Sequence, residues 1–128
     1  MTYIVVIPGR LDNLNDYIAD CRVNPYKGAE TKKVNEHICR VAIRKALRGV
    51  EIKSKVQMIY RWYEKDRRRD LDNISSFGRK VFQDALVSCG VIPNDGWRHI
   101  VGFADEFYVD AKNPRIEVEI MEVEKQEG

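Results

Sequence analysis

Lys55-Val56-Gln57-Met58-Ile59-Tyr60-Arg61-Trp62-Tyr63 alternates in polarity and leads into Asp66-Arg67-Arg68-Arg69-Asp70-Leu71-Asp72-Asn73. Val56, Met58, Tyr60 and Trp62 fall on one side and Gln57, Arg61 and Tyr63 on the other, which is the period of a strand with one buried face. Beyond Asn73 the period changes to that of a helix. Ile74, Gly78, Val81, Phe82, Ala85 and Cys89 make its apolar stripe, Gly90 marks its end, and Ser76, Arg79, Lys80 and Gln83 are expected in solvent. A strand that hands a charged loop to the start of a helix is therefore the centre of the fold.

Working outward, Tyr3 to Ile7 reads as a first strand stopped by Pro8-Gly9. The next twenty residues are rich in Asn, Asp, Pro and Gly and read as loop, with one helical turn near Leu14 to Ala19. Thr31 to Arg48 reads as a helix that buries Val34, Ile38, Val41 and Ala42, capped near Gly49. Its opposite side carries Lys33, His37, Arg40, Arg44 and Arg48, a cationic ridge that is either a solvated face or a track for phosphates. Pro93-Asn94-Asp95-Gly96 is a turn. His99 to Tyr108 and Arg115 to Val123 read as an antiparallel hairpin around Lys112-Asn113-Pro114, with Ile116, Val118 and Ile120 inward and Glu117 and Glu119 in water. The expectation is one α+β domain over residues 1–128 in the order β-α-β-α-β-β. Its helices pack on a mixed or mainly antiparallel sheet, and its tail, about 124–128, is disordered.

Bulk properties narrow the function. The 128 residues suit one domain. Against 20 Asp and Glu stand 22 Lys and Arg, a net charge of +2, so any basic surface is local: Lys and Arg dominate positions 32 to 69, whereas five glutamates crowd the last dozen residues. Three cysteines without C-x-x-C spacing suggest neither a disulfide framework nor a zinc site, and His37 and His99 have no visible metal-binding partner. A short apolar amino terminus without a basic leader, and no bilayer-length run, give the expectation of a soluble cytoplasmic protein without membrane contact. No Walker loop, G-x-G-x-x-G or G-x-S-x-G is present, so no nucleotide cofactor is expected. Trp62, Tyr63 and Trp97 are expected in the core or at its rim, with stacking on an exposed base as the alternative.

The central run holds three carboxylates and three guanidinium groups in eight residues. A hard cation such as Mg²⁺ takes one or two carboxylates, water and substrate phosphate, and arginine forks match phosphate. Read as extended chain, Asp70 and Asp72 point the same way with Cα atoms roughly 6.5–7 Å apart, within reach of one ion. The plainer readings are that these aspartates cap a helix, that Asp95 merely shapes a turn, and that Lys80 and Asp84 are a surface pair.

The motif Asp66 to Asn73, together with Lys80-Val81-Phe82-Gln83-Asp84-Ala85-Leu86 and Asn94-Asp95-Gly96, resembles the RusA family of Holliday-junction resolvases over most of the chain. The resemblance implies a small α+β homodimer, commonly encoded by phages and prophages, that binds four-way DNA junctions in recombination and repair and cuts them symmetrically with Mg²⁺. It maps the catalytic, metal-binding aspartates onto Asp70, Asp72 and Asp95. The family's lysine lies one turn after the second aspartate, where this chain has Ser76. About four extra residues precede Asp84-Ala85-Leu86, and four residues turn a helix only about 40° beyond a full turn, so Lys80 takes the role, with Arg79 as substitute. Arg67, Arg68, Arg69, Arg79, Lys33, Arg40 and Arg44 are the expected DNA contacts. The rival readings are another structure-specific metal nuclease, a DNA-binding module without catalysis, and a structural protein whose charges are all solvation.

Overall fold

The computed structural model describes residues 1–123, in the order β1 (Thr2–Pro8), α1 (Leu14–Val23), α2 (Pro25–Ala46), β2 (Lys55–Glu64), α3 (Leu71–Ser88), β3 (Ile100–Val109) and β4 (Arg115–Val123). The tail beyond 123, expected to be disordered, lies outside the described residues. A mixed four-stranded sheet has the order β1-β4-β2-β3. The strand with the strongest alternation is central: β2 runs parallel to β3 and antiparallel to β4, which in turn runs antiparallel to β1. Val5, Ile7, Val56, Met58, Tyr60, Trp62, Ile116, Val118 and Ile120 are all buried, forming one apolar sheet face. The opposite face carries an ionic lattice in which Arg61 bonds both Glu106 (3.0 Å) and Glu119 (2.8 Å).

The expected hairpin is corrected. Both of its strands exist, but β3 and β4 are not neighbours, because β2 lies between them. Residues 110–114 cross the end of β2, where the Asp110 N–H donates to the Glu64 carbonyl at 2.8 Å. Two inter-strand spacings are only about 10 Å, which five residues span.

The segment expected to be loop is helical. Asn13 and Asp16 form a reciprocal capping box that starts α1, and Asn24 caps α2 ahead of Pro25 in its first turn. The stripe that α2 buries also differs from the expected one. Gly28, Asn35, Cys39, Ala42 and Ile43 face the core, while Val34, Ile38 and Val41 remain 52, 37 and 53% exposed. Asn35 explains how a polar residue fits there. Its Nδ2 donates to Asp12 Oδ2 (2.7 Å) and the Thr31 carbonyl (2.8 Å), and its Oδ1 accepts from the Asp12 N–H (2.9 Å).

Helix α3 sits on β2 by a close approach at Gly78, where an added Cβ would lie 2.7 Å from the buried Trp62 ring. Phe82 meets Tyr60 edge-on with centroids 5.8 Å apart. Gln83, expected in solvent, is buried and donates to the Tyr60 hydroxyl at 3.1 Å. The three cysteines are unpaired, and burial pushes the Cys39 thiol up to about 12. Among the described residues no helix is long and apolar enough to cross a membrane.

Candidate active site

The charged motif spans the passage from β2 to α3. Because α3 begins at Leu71, the extended reading of Asp70 to Asp72 does not hold. Asp70 is the N-cap, with φ −68° and ψ 144°, and Asp72 lies in the first helical turn. Asn73 is inside the helix. Asp70 makes no side-chain capping bond, so the plain capping reading does not use its carboxylate. Asp70 and Asp72 are both exposed. A cleft of about 650 Å³ lies alongside, lined by Glu64, Asp66, Arg67, Asp70, Leu71 and Tyr108 among others.

The three arginines divide into two kinds. Arg67 and Arg68 are exposed, Arg68 turning back to Asp66 at 3.7 Å. Arg69 faces inward, donating to the Leu11 carbonyl (3.2 Å) and to Asp16 Oδ2 (3.4 Å) and lying 3.8 Å from the buried Glu64, which also pairs with Arg10 at 3.4 Å. It fastens the segment before α1 to the end of β2 and is a structural pin. Replacing Arg69 by Ala is expected to lower stability in denaturant unfolding by about 1.5–3 kcal/mol, the range for hydrogen bonds to charged groups. Arg67→Ala is expected to leave stability within about 0.5 kcal/mol and to reduce the slope of log affinity for DNA against log salt by about one.

On the exposed side of α3, Asp72, Ser76 and Lys80 follow at steps of four, and the Ser76 hydroxyl donates to the Asp72 carbonyl. Lys80 Nζ lies 3.0 Å from Asp84 and 3.2 Å from Asp95. Hydrogen bonding to Asp84, then to Asp95, raises the Lys80 pKa above its ordinary value and keeps the ammonium charged. Lys32 from α2 reaches Asp84 at 3.5 Å, a residue that sequence reasoning left out of the cluster. Arg79, the substitute cation, pairs with Asp105 at 3.4 Å and lies over the Phe103 ring at 4.7 Å. On α2, Lys33, His37 and Arg44 are exposed, as is Arg48 just beyond the helix end, whereas Arg40 is engaged by Glu36 at 3.0 Å.

The structure therefore joins Lys80 to Asp95 but does not bring Asp95 to Asp70 and Asp72. Eight residues of helix separate Asp72 from Lys80, about 12 Å along the axis. Among the described residues no three His, Cys, Asp or Glu side chains gather closely enough to hold a metal ion. The donor chemistry still fits Mg²⁺, because two exposed carboxylates with no nitrogen or sulfur donor are what a hard cation requires when phosphate and water complete its shell.

Comparison with known proteins adds to this geometry. The family model described as "Endodeoxyribonuclease RusA" matches residues 10–121, from the segment before α1 into β4. No curated protein matches the chain.

Proposed function

The chain belongs to the endodeoxyribonuclease RusA family, and from that premise we propose that it is a Mg²⁺-dependent endonuclease that resolves four-way DNA junctions by symmetric phosphodiester hydrolysis. The observation that carries this reading is the pair of exposed carboxylates, Asp70 and Asp72, at the start of one helix, with exposed arginines before them and a charged lysine two turns beyond. Asp70 and Asp72 would hold the cation. When bound, it lowers the pKa of a water ligand and offsets charge on the phosphate. Arg67 and Arg68 draw the backbone in, Lys80 offers its ammonium to charge developing on the phosphate oxygens, and Asp95 orients Lys80.

Two matched incisions call for two copies of the site about a twofold axis, and so for a homodimer. The apolar strip Val34, Ile38 and Val41, left outside the core, supports such a contact. The reading places the protein in the cytoplasm, where free thiols persist.

The decisive experiment incubates the protein with a mobile four-way junction, a flap and a linear duplex, with and without Mg²⁺. Paired symmetric cuts in the junction, absent without metal, are expected. Equal cutting of all three substrates would make this a general nuclease, and binding without any cutting would make it a DNA-binding module.

A further inference from the structure

The least buried large side chain near the site is Trp97, 95% exposed, whereas the other tryptophan, Trp62, is 2% exposed and hydrogen-bonded to Asp105 at 2.9 Å. Trp97 is not on a loose arm. The Gly96 N–H donates to Asn94 Oδ1 (2.6 Å), and the Gly96 carbonyl accepts from the N–H groups of His99 and Ile100, both at 3.0 Å. The indole is thus presented by a braced turn, two residues after Asp95 and its contact with Lys80. It borders a shallow cleft of about 290 Å³ whose walls include Asp95, Val101 and the half-exposed Phe103.

The surroundings select the occupant. Arg98 is exposed beside Trp97, and the 2.8 Å bond from the Val56 N–H to the His99 carbonyl brings the exposed Lys53 and Lys55 to the same end of the sheet. An apolar protein partner gains nothing from three cations at the rim. An unstacked nucleobase carried on phosphates matches both the aromatic face and the charges.

We propose that Trp97 stacks on an unstacked nucleobase at the branch point of the junction and so sets which phosphate reaches the site. The inference rests on the junction-cleaving reading above. Binding of the full chain to a dye-labelled four-way junction in EDTA, followed by anisotropy, tests it alongside acrylamide quenching of tryptophan emission. Saturation with junction is expected to shield the exposed tryptophan, and an equal-length duplex to shield it less. Trp97→Ala is expected to weaken junction binding roughly 5- to 150-fold, the span of one base–aromatic stack, while Trp97→Phe recovers most of it. Trp97→Ala should unfold at the parent's temperature, since the side chain packs against little. If the junction saturates while Trp97 stays open to acrylamide, or if Trp97→Ala binds like the parent, the stacking role is overturned and the nuclease reading stands. If no junction binds, both fall. Shielding that grows with protein concentration without DNA would assign Trp97 to a protein contact and overturn the proposal.

Discussion

Asp72→Asn is expected to abolish Mg²⁺-dependent junction cutting while leaving junction affinity equal or higher. Asparagine keeps the shape and one oxygen but removes the charge that, on the proposed reading, would hold a hard cation against the helix start. The help a metal gives to a phosphoryl transition state amounts to several kcal/mol, which corresponds to a loss of about 10²–10⁴-fold in rate. Affinity moves the other way because a carboxylate repels phosphate. Asp95→Asn should behave differently. In this fold Asp95 touches Lys80, which lies two helical turns from Asp72, so on the proposed reading it would act by positioning the ammonium. A loss of roughly 10- to 100-fold suits a group that orients another. Single-turnover cleavage of one junction by both variants makes the comparison. Equal losses would show that the three carboxylates close on one ion when DNA binds, as the resemblance implies, and would overturn the division of roles drawn from the unbound chain.

The second large effect concerns the seating of the helix that carries these groups. Phe82→Ala is expected to cost about 3–5 kcal/mol, the range for removing a buried aromatic from a core that relaxes little. Phe82 is 1% exposed and set edge-on against Tyr60, whose hydroxyl is held by Gln83 of the same helix. For a chain of this size the thermal midpoint should fall by roughly 10–20 °C. Phe82→Leu, which keeps most of the volume, should cost much less. A loss below about 1 kcal/mol for Phe82→Ala would mean that α3 is not anchored through this contact, and the fixed placement of Asp72 and Lys80 would lose its support.

How much of this was legible in the chain depended on whether a signal was local. Strand β2 and helix α3 announce themselves because their apolar spacing coincides with burial. The residues before α2 look like loop by composition, yet Asn13 with Asp16, and Asn24 ahead of Pro25, are helix-start signals in plain view. The face of α2 could not be assigned by hydrophobicity, since the core accepts Gly28, Asn35 and Cys39 while three β-branched residues stay outside. Asn35 is tolerated only because Asp12, distant in sequence, satisfies it. The false hairpin arose from adjacency along the chain, which carries no sign that β2 will separate the two strands. At the site the residue types were readable, but their company was not: Arg69 and Arg79 resemble their neighbours in sequence and differ only in what they face.

Among the described residues strand β1 pairs only with β4, more than a hundred residues later in the sequence, through Thr2↔Met121 to Pro8↔Arg115. During synthesis, therefore, β1 stays unpaired until residues 115–123 have left the ribosome. Its apolar residues wait in an unfinished intermediate, and closure of such sequence-distant pairings is slow. A nascent chain stalled within residues 100–114 would hold its helices without a completed sheet, and limited proteolysis of arrested ribosome complexes should find residues 2–8 protected only after residue 123 has emerged.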